Sequence, residues 1–176
     1  MKIPNLLTLL RFILIIPIAI SFFVPEWNII AFFLLLAAWI TDVFDGIIAK
    51  KFNQKSKVGA FMDPTVDKFL VLTIFVVLVD LNVIPFWIAI LIIGRDFLVQ
   101  AIRNLAKSKG KILKSEWSGK LKFGLQMLTF VTAAYSLSFQ INMQIVYWVA
   151  IITLLESYYA LAEFLYKNKT FLSVVN

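Results

Sequence analysis

The sequence contains no cysteine and no histidine, and only 6 glycines and 5 prolines in 176 residues. Without cysteine there is no disulfide, no thiolate nucleophile and no sulfur ligand for a soft metal. Without histidine the commonest general base and metal ligand near neutral pH is gone. Acid–base chemistry therefore falls to Asp, Glu, Lys or Tyr. Carboxylates are scarce too: 10 Asp and Glu stand against 17 Lys and Arg, a formal net charge of +7. No long polar block, low-complexity tract or internal repeat breaks the chain. What is abundant is apolar surface, at 61% hydrophobic residues and a mean hydropathy of +0.90. That is too apolar for a soluble domain and long enough for several membrane spans, so a single integral membrane domain over residues 1–176 is expected. In so hydrophobic a chain the positive charge points to anionic lipid and phosphate-bearing substrates rather than to nucleic acid.

The apolar runs predict an all-α bundle of six transmembrane helices, over Leu6–Val24, Ile29–Lys50, Val58–Asp80, Ile84–Leu105, Trp117–Phe139 and Ile141–Tyr166. They are apolar nearly all round, and a helix satisfies its own backbone groups in lipid. The first run begins like a secretion signal, but it is long and lacks a small-residue cleavage site, so it is expected to stay as the first span. Arg11, near its start, is expected to snorkel to the interface, and Pro17 to be a tolerated kink. Pro64 is expected either in the first turn of the third helix or at a kink. The links KKFNQKSK and KSKGKILKSE and both chain ends are basic, whereas the turns at Glu26, Asp80 and Gln140 hold no Lys or Arg. Since Lys and Arg concentrate in cytoplasmic loops, both termini are expected in the cytoplasm.

Against this background one stretch stands out, from Asp42 to Asp67. It sets Asp42 three residues before Asp45, and Asp63 four before Asp67, so on helices each pair shares a face. Carboxylates are costly at membrane depth unless they meet a cavity, a partner or a cation. One reading pairs them with Lys50, Lys51, Lys57 and Lys68 at the interface. Another makes them the cation or proton pathway of a transporter. In a third, the four acids form one pocket whose mutual repulsion is relieved by hard divalent ions, Mg²⁺ or Mn²⁺ given oxygen ligands alone, with a metal pair able to bridge a diphosphate. Gly46 and Gly59 leave room for a ligand or a neighbouring helix.

The same residues resemble the signature of the CDP-alcohol phosphatidyltransferases, Asp-x2-Asp-Gly-x2-Ala-Arg-x8-Gly-x3-Asp-x3-Asp. Here it reads Asp42, Asp45, Gly46, Ala49, Lys50, Gly59, Asp63 and Asp67, every spacing kept, with Lys50 in the arginine position. The runs IPNLLTLLR, MDPTVDKFLV, IIGRDFLVQAIR and GKLK extend the likeness along most of the chain, toward the bacterial phosphatidylglycerophosphate synthases within that family. The resemblance implies a membrane enzyme that transfers a phosphatidyl group from CDP-diacylglycerol to an alcohol with release of CMP. It implies two divalent ions on Asp42, Asp45, Asp63 and Asp67, with Asp67 also the candidate base. It further implies a cytidine-nucleotide pocket at Asp42, Gly46, Ala49, Lys50 and Gly59, with Asn5 and Thr8 as further candidates, and a homodimer in the cell membrane with its active site toward the cytoplasm. Arg95, Arg103, Lys120 and Lys122 form a basic set suited to an acceptor phosphate such as that of glycerol 3-phosphate, or, read separately, to snorkelling. Phosphatidylglycerol and inositol phosphate are the alternative acceptors. Asp96, beside Arg95, is open to the reading that it only balances that charge.

Overall fold

The computed structural model describes the backbone of residues 3–52, 57–111, 113, 117–169 and 171, and the side chains of 9–41, 65–111, 113, 117–169 and 171. Six α-helices and no strand occur among the described residues: α1 (Ile3–Phe23), α2 (Asn28–Phe52), α3 (Lys57–Asp80), α4 (Phe86–Ser108), α5 (Trp117–Phe139) and α6 (Gln144–Lys167). Each matches one predicted apolar run to within a turn, because long apolar runs punctuated by polar links fix helix existence locally. α3 begins at Lys57, so Pro64 lies beyond its first turn.

The helix ends are set by short-range chemistry. Three C-termini close in the same way, with a residue in the left-handed region: Asn82 at φ 56°, Gly110 at φ 69° and Gln140 at φ 51°. After α4 the Gly110 amide donates to Lys107 O at 3.0 Å and the Lys111 amide to Ala106 O at 2.9 Å. That pair of bonds satisfies carbonyls the helix itself leaves open. Val83 to Leu78 O and Ile141 to Ser136 O, at 2.9 and 3.0 Å, repeat the pattern. Between α1 and α2 a single 3₁₀ turn over Pro25–Trp27 suffices.

Packing orders the helices differently from the sequence. α1 lies against α2 and α3, α3 against α4, α4 against α6, α6 against α5, and α5 against α2. The six therefore close a ring in the order α1, α3, α4, α6, α5, α2. Its interior is apolar through the middle, where Phe75 of α3 and Phe130 of α5, both fully buried, meet edge to face at 4.9 Å between ring centroids. Around them pack Ile18, Leu35, Ile74, Leu78, Ile92 and Met127. Threonines stitch α5 to α6, with Thr129 and Thr153 hydroxyls 2.9 Å apart.

The outer surface is also apolar. Phe12, Ile16, Phe33, Val76, Ile90 and Leu155 are each more than 40% exposed. Of the six expected spans, one helix among the described residues, α6, is by itself long and apolar enough to cross a membrane; Leu9–Phe23 and Pro25–Thr41 are shorter apolar stretches. α4 and α5 are interrupted by charge, Arg95, Asp96 and Arg103 in one and Lys120 and Lys122 in the other.

Candidate active site

Because consecutive helices run in alternating directions, α3 and α5 begin at the end of the ring where α4 and α6 finish. Polar side chains collect there. Lys68 of α3, Arg103 of α4, Ser118 and Lys120 of α5 and Phe164 of α6 line one cavity of about 170 Å³. It shares Lys68, Asp96, Gln100, Arg103 and Lys122 with a second space of about 240 Å³ that reaches Asp67 and Gln126. The candidate base and the basic set thus face connected space.

All four residues of the predicted basic set, Arg95, Arg103, Lys120 and Lys122, line the smaller cavity, and Lys68 joins them. Among the described residues, five cations against the single carboxylate of Asp96 leave a strong positive surplus in this cavity. Their environments differ. Arg95 and Lys122 are buried, at 7% and 9% exposure. Both bind Asp96: Arg95 Nη1 donates to Oδ1 at 3.0 Å, and Lys122 Nζ to Oδ1 and Oδ2 at 2.6 and 2.8 Å. The guanidinium of Arg103 lies over the Phe164 ring, 5.4 Å from its centroid. Lys68 Nζ donates to Gln100 Oε1, and Gln100 Nε2 in turn donates to Asn104 Oδ1 at 3.1 Å. Lys120 is exposed. Independent snorkelling therefore does not describe Arg95 or Lys122, which are held inside by a shared acid. Asp96 does more than offset its neighbour Arg95.

Arg11 corrects an expectation. Instead of reaching the interface it is 5% exposed and donates from Nη1 to Asp67 Oδ1 at 2.7 Å. The reason is the ring: α1 lies beside α3, which brings a carboxylate within reach of a cation that burial would otherwise strongly disfavour. Arg11 is the only charged residue between Leu6 and Val24, and that isolation was the available signal. Sequence reasoning also missed Gln100, Ser118 and Gln126, which carry no charge. Spacing marks them, since Ser118, Lys122 and Gln126 are successive four-residue steps on α5, and Gln100 follows Asp96 by four on α4.

The side chains of Asn5, Thr8, Asp42, Asp45, Gly46, Ala49, Lys50, Gly59 and Asp63, predicted for nucleotide and metal, lie outside the described residues. Their backbone belongs to α1, α2 and α3. No group of three or more possible metal-ligating side chains occurs among the described residues, where Asp67 is the only member of the expected quartet. Asp67 fits such a role chemically: it is a half-buried oxygen donor on the cavity wall, already facing one cation.

Residues 1–156 match the CDP-alcohol phosphatidyltransferase family. Curated relatives bearing the name CDP-diacylglycerol–glycerol-3-phosphate 3-phosphatidyltransferase are similar over most of the chain. The one from Salmonella choleraesuis (strain SC-B67) is 37% identical over 134 residues, covering 72% of this chain and 73% of its own length. Those from Escherichia coli (strain K12) and Shigella boydii serotype 4 (strain Sb227) are 38% identical over the same shares.

Proposed function

We propose, from the premise that this chain belongs to the CDP-alcohol phosphatidyltransferase family, that it transfers a phosphatidyl group from CDP-diacylglycerol to sn-glycerol 3-phosphate, yielding phosphatidylglycerophosphate and CMP. The relatives' shared name supports the substrate pair. The observation that carries the acceptor choice is the cavity in which Arg95, Arg103, Lys120, Lys122 and Lys68 converge beside Asp67. A phosphomonoester acceptor supplies the negative charge that such a wall requires, and serine or choline does not.

In this reaction the acceptor hydroxyl oxygen forms a new bond to the lipid-bearing phosphorus, and the diphosphate bridge breaks toward CMP. The hydroxyl proton passes to a carboxylate oxygen of Asp67, which borders the larger space. Arg11 holds Asp67 through Oδ1 and so fixes the carboxylate at the border of that space. The basic wall fixes the acceptor by its phosphate, converting a bimolecular encounter into an oriented one. Lys68, adjacent to Asp67 and lining both spaces, is suited to contact the charges of acceptor and donor alike. Asp42, Asp45, Asp63 and Asp67 would hold two divalent ions, which when bound neutralise the donor diphosphate. Gly46, Ala49, Lys50 and Gly59, with Asn5 and Thr8, would border the cytidine.

The exposed apolar belt supports six membrane spans with both termini and the cavity end on the cytoplasmic side, where the basic links lie. A homodimer paired through lipid-facing helices completes the reading, and its mass in mild detergent and in nanodiscs checks it. The central experiment supplies purified protein with CDP-diacylglycerol, Mg²⁺ and, in separate arms, glycerol 3-phosphate, phosphatidylglycerol or inositol phosphate. CMP release should be fastest with glycerol 3-phosphate and should vanish in excess chelator. Faster turnover of another acceptor refutes the acceptor choice, and release that persists in chelator refutes the metal sites.

A further inference from the structure

An acid is out of place in the wall of a cavity meant for an anion, yet Asp96 sits there, 7% exposed. Its carboxylate is fully engaged. Oδ1 accepts from Arg95 Nη1 and Lys122 Nζ, and Oδ2 from Lys122 Nζ and Gln126 Nε2, the last at 3.1 Å. Those four contacts match the roughly four lone-pair sites of a carboxylate, leaving nothing for a ligand to donate into. Asp96 does not itself touch substrate. What it acts on are cations: it fixes the ammonium of Lys122, which ends a flexible four-carbon stem, and the planar fork of Arg95. Each keeps further N–H groups beyond those given to Asp96. Gln126, which lines the larger space, commits Nε2 to the carboxylate, while its Oε1 is buried and has no hydrogen-bond partner among the described residues.

We infer that Asp96 is the positioning residue of the acceptor site, holding Lys122 and Arg95 where their remaining donors meet a phosphomonoester; this rests on the functional reading above. Simple electrostatics makes the opposite prediction. If Asp96 acted only through its charge, it would repel the acceptor phosphate, and removing it would tighten binding. If it positions Lys122, removing it releases the ammonium to other rotamers, and binding weakens although the cavity becomes more positive. The sign of the change therefore decides. A third possibility, that Asp96 is only a structural tie between α4 and α5, which are not neighbours in the ring, would disturb donor and acceptor alike.

The test combines calorimetric titration of sn-glycerol 3-phosphate into the purified protein with CMP-release kinetics in which each substrate is varied. For Asp96→Asn the acceptor Kd and KM should rise roughly tenfold while the donor KM stays within about twofold. Lys122→Ala should lose a similar factor, and the double variant should lose clearly less than the product of the two single losses, since the acid then has only Arg95 left to hold. Unchanged or tighter acceptor binding by Asp96→Asn, additive losses, or a parallel rise of both KM values overturns the inference. Should Asp96→Asn fail to fold, Gln126→Leu, which withdraws one donor from Oδ2, should still raise the acceptor Kd by about two- to fivefold, and no change there is equally fatal. If the unsubstituted protein binds glycerol 3-phosphate but releases no CMP, the functional reading fails while the Kd comparison still decides the role of Asp96. If it binds none, both fall.

Discussion

Asp67 and Lys120 show how differently two residues on one cavity system respond to loss of charge. Asp67 is held by Arg11 and lines the larger space, so in the proposed mechanism its carboxylate serves geometry and proton transfer together. Asp67→Asn keeps the shape and can still accept from Arg11 through its amide oxygen, but it has lost the basic oxygen. CMP release is expected to fall to background while the protein still inserts and elutes as the unsubstituted form does. Near-normal turnover would remove Asp67 from the mechanism. Lys120 is exposed on the rim of the smaller cavity. In the proposed site its loss removes one charge-assisted contact, worth about 1.5–3 kcal/mol for a well-made bond and less at an exposed site. Lys120→Ala should therefore raise the KM for glycerol 3-phosphate up to roughly tenfold and leave the donor KM nearly unchanged. Equal rises in both would show that the rim does not distinguish the substrates.

At the scale of elements, the helix ends govern where site residues sit. Arg103 lies in the last turns of α4 and Ser118 in the first turn of α5, so the closure at Gly110 helps determine how the two chain segments approach one cavity. Gly110 has φ 69°, and an added Cβ would meet nothing within 4 Å. The cost of Gly110→Ala is therefore backbone strain alone, about 1 kcal/mol, or roughly 2–4 °C in Tm for a chain of this size. Gln140 adopts the same conformation with a side chain, so Gln140→Gly should shift Tm upward by a smaller amount. Thermal unfolding in detergent of both variants checks the pair, and shifts of the same sign would contradict it.

For the whole molecule, the absence of cysteine makes topology directly measurable. Single cysteines at Lys109 and at Gln140 stand in exposed turns at the two ends of the ring. In sealed, right-side-out cells a membrane-impermeant maleimide should label Gln140→Cys and spare Lys109→Cys until the membrane is opened. Labelling of both in sealed cells would refute a cytoplasmic cavity end. The proposed orientation would make a large positive excess compatible with a membrane, since it turns the basic links toward the face where anionic headgroups and a phosphate-bearing substrate would lie.

The sequence alone was enough for the helical class, the six segments and the family pattern, because each of these is written locally. Apolar runs, polar links and the fixed spacing from Asp42 to Asp67 do not depend on how helices are arranged. It also picked out Arg95, Arg103, Lys120 and Lys122, since cations within apolar runs are conspicuous by their cost. Which partner each of those charges takes is a different matter. Helices that are apolar nearly all round carry little signal about which face meets which neighbour, so the ring order was not legible in advance. Only that order places Arg11 beside Asp67, 56 residues away, and Lys122 on Asp96, 26 residues away. A buried charge is tolerated where an opposite charge is already in reach. The tertiary structure decided where that reach exists, and with it that Arg11 is held inside the ring by Asp67 and that Asp96 holds Lys122 and Arg95.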